Sequence, residues 1–212
     1  MTSRRRFLSL LGISGLGVTT PKLLDRPSRT DSLSNKGTNT MQRTITIQND
    51  NSVIESIGLT VGIELVQDVI TATEPGDLRI VLVNSSKEKH SFSTGAEPVI
   101  GPIIGSEGEN RLVLLPIDNR NPQNPSKGQP WHLNEVPAQK ASINRFELDP
   151  GEATTKRLRI WDAPQNRSYL PKGEYEFAVP FKLFKESGNS EMATFNTAEE
   201  AKWWFTISLQ NK

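Results

Sequence analysis

Two histidines are the chain's entire stock of imidazole: His90, in Lys89-His90-Ser91-Phe92, and His132, in Trp131-His132-Leu133. A copper or zinc ion held by both would need a further ligand, such as Met192 or a carboxylate, with ring nitrogens about 2.0 Å from the metal. Nothing in their spacing enforces that convergence, and two surface or loop histidines are the plainer reading. Ser91, His132 and Asp118 supply the residue types of a nucleophile–base–acid triad, but no G-x-S-x-G elbow presents a serine for attack. Glycoside hydrolysis would need two carboxyl groups about 5–10 Å apart across a cleft. Glu107 and Glu109 flank Gly108 and read as a loop, while Glu174 and Glu176 alternate with apolar residues and so face solvent from a strand. Trp131, Trp161, Trp203 and Trp204 could stack on sugars; at alternating strand positions Trp203 is expected in the core and Trp204 outward or in the second face. From sequence, then, no catalytic, cofactor-binding or metal-binding residue is assigned.

Composition removes further chemistry. With no cysteine among 212 residues, disulfides, thiolate catalysis, Cys-ligated zinc and iron–sulfur clusters are excluded. The formal net charge is +1, and setting aside Arg4, Arg5 and Arg6 leaves a slight acidic excess with no basic block. Nucleic-acid surfaces need clustered cations, so no nucleic-acid partner is expected. Leu, Ile, Val and Phe make up about a quarter of the chain, enough at this low net charge for collapse. No stretch reaches the roughly 18 apolar residues of a spanning helix.

The elements that must position these side chains read as strands. Ile45 and Ile47 alternate with threonines; Val61, Ile63, Leu65 and Val69 share one face, with Glu64 and Asp68 opposite. Leu78 to Val83 is apolar on both faces except at Arg79, as an inner strand would be. Short runs follow at Leu112–Leu115, Phe146–Leu148 and Leu158–Ile160. Tyr175, Phe177, Val179 and Phe181 alternate cleanly, as do Trp203, Phe205, Ile207 and Leu209. Only a period of two places such residues on one surface. Ala198–Lys202 could add one helical turn before the last strand. Glu74-Pro75-Gly76-Asp77, Asp149-Pro150-Gly151-Glu152 and Pro171-Lys172-Gly173-Glu174 each precede a strand and suit type II turns, with Gly at the position of positive φ. The Pro-, Asn- and Gly-rich stretch 101–140 reads as one long elaborated connection, where function tends to sit. Asn84-Ser85-Ser86 and Asn166-Arg167-Ser168 are glycosylation sequons in expected loops. The pattern predicts an all-β fold: an antiparallel β-sandwich of about seven to nine strands over residues 43–210.

Before this domain, residues 1–20 have the layout of an export segment: a charged start and a short, weakly apolar run to Val18. Ser3-Arg4-Arg5-Arg6-Phe7-Leu8 resembles the twin-arginine export signal. The resemblance implies export in the folded state to the cell surface or the extracellular space, with an uncleaved signal as one means of anchoring. Residues 21–42 are rich in Ser, Thr, Asn and Pro and are expected to form a disordered linker or stalk.

Gly173-Glu174-Tyr175-Glu176-Phe177 resembles the G-x-Y-x-C of immunoglobulin-type domains, with Phe177 at the Cys position. Together with Leu148–Glu152, Leu170–Tyr175 and Trp204-Phe205-Thr206, it makes the chain similar to exported Ig-like β-sandwich proteins of haloarchaeal type. The Leu148-Asp149-Pro150-Gly151-Glu152 turn resembles the bacterial intracellular proteinase-inhibitor domain. The Ig-like resemblance implies a tyrosine corner, with the Tyr175 hydroxyl bonded to backbone near Ser168–Leu170. It also implies a non-catalytic extracytoplasmic module, binding or structural, without cofactor, whose partner is a protein or an envelope glycan. A proteinase inhibitor presenting a loop from 101–140 and a carboxylate-dependent hydrolase are the alternatives.

Overall fold

A computed structural model of the chain describes residues 41–48, 51–97, 99–117, 129–138, 142–187 and 194–212. The expected export segment and all of the expected linker except Met41 and Gln42 lie outside these residues, as do Asp118 and Met192.

The period-two runs become strands in nearly every case. In chain order they are β1 (Arg43–Gln48), β2 (Asn51–Ile54), β3 (Leu59–Gln67), β4 (Val69–Ile70), β5 (Asp77–Asn84), β6 (His90–Gly95), β7 (Ile103–Glu107), β8 (Asn110–Pro116), β9 (Asn144–Leu148), β10 (Ala153–Asp162), β11 (Gly173–Ser187) and β12 (Thr194–Asn211). Twelve strands among the described residues exceed the seven to nine expected, because β2, β4, β6 and β7 are too short or too irregular to show a period. All ladders between these strands are antiparallel, in the order β2-β3-β5-β10-β8-β7-β11-β12-β1-β4, and β6 branches from β11 to carry β9. The sheet curls so that one face of every long strand meets in a common core: Val61, Leu78, Ile80, Leu158, Ile160, Tyr175, Phe177, Phe181, Trp203, Phe205 and Ile207 are all buried there. Phe177 and Phe205, opposite each other in the β11–β12 register, stack at 5.0 Å, and Trp203 stacks on Phe205 at 4.6 Å. Such ring pairs add to the stabilisation that burial of their area already gives.

Four expectations change. Ala198–Lys202 is strand rather than helix: it belongs to β12, where the register slips by one residue between Leu183 and Phe184. A bulge absorbs the extra residue without breaking the ladder. The stretch 101–140 is not one long connection, since β7 and β8 form a hairpin within it and residues 129–138 lie on the sheet. Val69 leaves the core face of β3, because a bulge between Leu65 and Gln67 and the short strand β4 bury Ile70 instead. Asn84 is the buried last residue of β5, not a loop residue.

Of the three Pro-Gly turns, the one at Asp149–Glu152 has Gly151 at φ +75°, as a type II turn requires. Gly76 is needed for a different reason: a Cβ there would stand 2.5 Å from Ile45 Cδ1 and 3.0 Å from Ile70 Cγ1. Pro180 sits in β11 between the segment paired with β7 and the segment paired with β6, where a missing N–H disrupts neither ladder.

Candidate functional site

Among the described residues, ionisable, amide and aromatic side chains converge at the end of β10. Alternation turns Leu158 and Ile160 into the core and Arg159 and Trp161 to the outer face, and brings Asp162 back inside at the strand's last position. The segment Gln129–Ala138 then crosses the outer face. Leu133 and Val136 pack with Trp131 onto Val113, Leu115, Trp161 and Ala163, a second apolar cluster separate from the main core. Side chains on either side of Leu133 cannot all point down, and His132 turns inward to Asp162.

Backbone bonds fix this arrangement. Asp162 N donates to Trp131 O at 2.8 Å and Leu133 N to Asp162 O at 2.9 Å, a short parallel bridge in an otherwise antiparallel fold. Trp131 is anchored twice more: its N–H donates to Tyr169 Oη at 3.2 Å, and its indole Nε1 donates to Thr71 O at 2.7 Å. The Trp161 ring meets it edge-on at 5.9 Å, and the Arg159 guanidinium lies 5.6 Å from its centroid. Arg159 is itself held by Asp77, Nε to Oδ1 at 3.0 Å.

Asp162 is fully buried, and both its oxygens are engaged. Oδ2 lies 2.5 Å from His132 Nδ1, and Oδ1 accepts from Asn166 Nδ2 at 2.6 Å. Burial pushes the Asp162 carboxyl above its ordinary range, against the opposing pull of the Asn166 and His132 hydrogen bonds. Asn166 completes the cluster by standing in for a strand: Arg111 N donates to its Oδ1 at 2.8 Å, and its Nδ2 donates to Arg111 O at 2.7 Å. Tyr169, half-buried beside Trp131, has its phenol pushed up to about 12, chiefly by burial.

A carboxylate on Nδ1 fixes the imidazole tautomer and directs Nε2 away from the pair. Catalytic bases and metal-bound histidines share that orientation. Here the same bonds have a mechanical result, since they pin residues 129–133 to β10.

The other expected candidates fall elsewhere. His90 is on β6, edge-on to Phe92 at 5.8 Å, and does not share an element with His132. Among the described residues, no group of three or more His, Asp or Glu side chains is placed to hold a metal ion. Ser91 is buried on β6, and the acid paired with His132 among the described residues is Asp162, while Asp118 lies outside them. Glu174 and Glu176 are exposed on β11 as expected. Glu107 ends β7 and accepts from Asn110 Nδ2 at 3.3 Å, whereas Glu109 is exposed in the turn and pairs with Arg167 at 3.0 Å. Trp203 is in the core as expected, and Trp204 takes the outward of its two expected places. The Trp203 Nε1 is buried and meets no acceptor among the described residues.

Both sequon asparagines have their amide hydrogens occupied. Asn84 Nδ2 donates to Leu148 O and Glu88 O, each at 2.8 Å, and Asn166 Nδ2 donates to Asp162 and Arg111. Neither amide can take a glycan without giving up those bonds.

The sequence pointed to His132, and to Asn166 only as a sequon asparagine, but not to Asp162 or to the convergence of the three. Only the bend of the Gln129–Ala138 segment brings them together, and no spacing signals it. Comparison with protein-family models, curated proteins and solved structures finds no match to this chain.

Proposed function

We propose that the chain is a non-catalytic, exported β-sandwich module of Ig-like build, with a binding or structural role at the cell surface or beyond it. The observation that carries this reading is the use made of His132, Asp162 and Asn166. The three groups best suited to acid–base or ligand chemistry are committed to fastening one segment onto the sheet. A general base needs a reacting atom within about 3 Å of its nitrogen and a neighbouring group to stabilise developing charge. The residues around His132 are instead Trp131, Leu133 and the strand end, which serve packing.

The Ig-like part rests on Tyr175, whose buried hydroxyl donates to Pro171 O at 2.8 Å, four residues upstream. That bond has the form expected of the tyrosine corner of Ig-type domains, and so supports the reading. It falls one residue beyond the expected Ser168–Leu170 because Leu170, at φ +45°, turns the chain before Pro171. Export rests on Arg4-Arg5 and the residues around them.

Fractionation of cells expressing the full chain tests the location. The wild type should reach the envelope or medium, and Arg4→Lys with Arg5→Lys should stay inside. Retention of the wild type in the cytoplasm would overturn the export reading. For the non-catalytic part, a folded His132→Gln chain should bind isolated envelopes as the wild type does. A substrate turned over by the wild type and spared by that variant would make the protein an enzyme.

A further inference from the structure

The second apolar cluster covers only half of the apolar row it belongs to. In the ladders, Trp161 stands opposite Val113 and Val113 opposite Ile104. Ser106 pairs with Glu176, so two steps along each antiparallel strand bring Ile104 beside Ala178, which is opposite Trp204. One outer-face row thus crosses five strands and is apolar throughout. Gln129–Ala138 covers its Trp161–Val113 half, while Trp204 and Ile104 in the other half remain 48% and 47% exposed. The flanks of this open half carry opposite charge. Glu176 is exposed on one side of the row, and Lys202, opposite Pro180, is exposed on the other.

We propose that the open half of this face docks a second copy of the same chain, face to face, about a two-fold axis running along the Trp204–Ala178–Ile104 row. Rotation about that axis lays the row on itself and exchanges its flanks, so Glu176 of each copy faces the side carrying Lys202 of the other. Strands lie about 4.8 Å apart and packed sheet faces about 10 Å apart. The two side chains are then one strand apart laterally, within reach across the gap, and the symmetry makes the pair twice. A two-fold axis along the strands through Ala178 would instead set Glu176 over Glu176, so charge selects the first arrangement. An apolar centre with a charged rim is the anatomy of a protein interface. Because the sheet curls away from this face, contact is confined to the row and its flanks, and the association belongs at the weak end of the size range.

Sedimentation velocity of the full chain at increasing concentration tests this. The expected result is a reversible monomer–dimer shift, with the midpoint raised at least tenfold by Trp204→Ser. Lys202→Glu alone and Glu176→Lys alone should each weaken dimerisation, and the double variant should restore it. Circular dichroism identical to wild type keeps misfolding from imitating the loss. A chain that stays monomeric up to about 1 mM overturns the proposal and leaves the face to a glycan or a different protein. Dimerisation indifferent to Trp204→Ser, or a double variant no better than the singles, overturns it as well. None of these outcomes depends on where the protein resides.

Discussion

Tyr175 buries its whole ring between β11 neighbours while its hydroxyl keeps one backbone acceptor, Pro171 O. Burial, reinforced by the nearby Glu107 charge, pushes the phenol well above its ordinary value, so it stays protonated and donating. Tyr175→Phe removes only that donor and leaves Pro171 O unpaired in a buried place. Chemical denaturation should register a loss of about 1–3 kcal/mol, and an unchanged midpoint would show that the bond contributes nothing. Asp162 has the opposite character, because its buried carboxyl resists ionisation. Its folded-state proton affinity exceeds the unfolded one, so the native state binds more protons and stability from this group falls as pH rises above about 4. Compared with Asp162→Asn, the wild type should therefore lose stability between about pH 4 and the raised value, read as a divergence of two melting-temperature profiles. Parallel profiles would mean that His132 and Asn166 fully offset the desolvation. At this scale the sequence was informative for Tyr175, whose partner is four residues away, and silent for Asp162, whose partners come from a segment 30 residues distant and a turn.

Among the elements, Gln129–Ala138 is unusual in having almost no regular structure and yet several independent anchors. Leu133 fills the centre of the outer cluster and is 1% exposed. Leu133→Ala should cost about 2–5 kcal/mol if the segment unfolds only with the whole sheet. Its cluster is separate from the main core, however, so the loss should appear locally. Hydrogen exchange at Leu133 and Asp162, whose amides form the bridge to β10, should accelerate, while Phe177 and Phe205 keep their protection. Equal acceleration at all four would make the segment part of one cooperative unit. This segment was illegible beforehand because its apolar residues, Trp131, Leu133 and Val136, follow neither a period of two nor one of 3.6. The β7–β8 hairpin was half legible: Leu112–Leu115 read as a strand, but Gly105 hid β7. That glycine is required because a Cβ there would lie 2.3 Å from the Phe177 ring, a contact no local pattern announces.

Across the molecule, the all-β class followed from alternation in β3, β5, β10, β11 and β12, where most residues read as inward are buried and Leu65 is buried only in part. What alternation cannot convey is which strands neighbour one another, and the split of the β11 edge between β7 and β6 has no sequence signature. The most demanding neighbour relation is the pairing of β1 with β12, from Arg43 opposite Asn211 to Gln48 opposite Thr206. Arg43 strengthens it, donating to Asn211 Oδ1 at 2.8 Å and to Leu170 O at 2.8 Å. A chain lacking residues 41–48 would bare the β12 edge and the core beside Ile207 and Leu209. It should aggregate or lose its cooperative transition in calorimetry, and a monomeric, cooperatively melting truncation would show that β12 needs no such cover.

That same pairing sets a timetable for biosynthesis. Arg43 and Asn211 are separated by 168 residues, so β1 emerges from the ribosome well before its partner exists. At the usual 5–20 residues per second the wait is roughly 10–30 s. Throughout it, the long edge of β1 that carries Ile45 and Ile47 lacks its partner, whereas β11, made just before β12, waits only briefly. The growing polypeptide can assemble β3 with β5 and β7 with β8 as it appears, since those partners are near in sequence, but closure waits for β12. A nascent chain of this kind calls for a holding chaperone until β12 appears, and any stall or premature stop within β12 releases a sticky product without its closing strand.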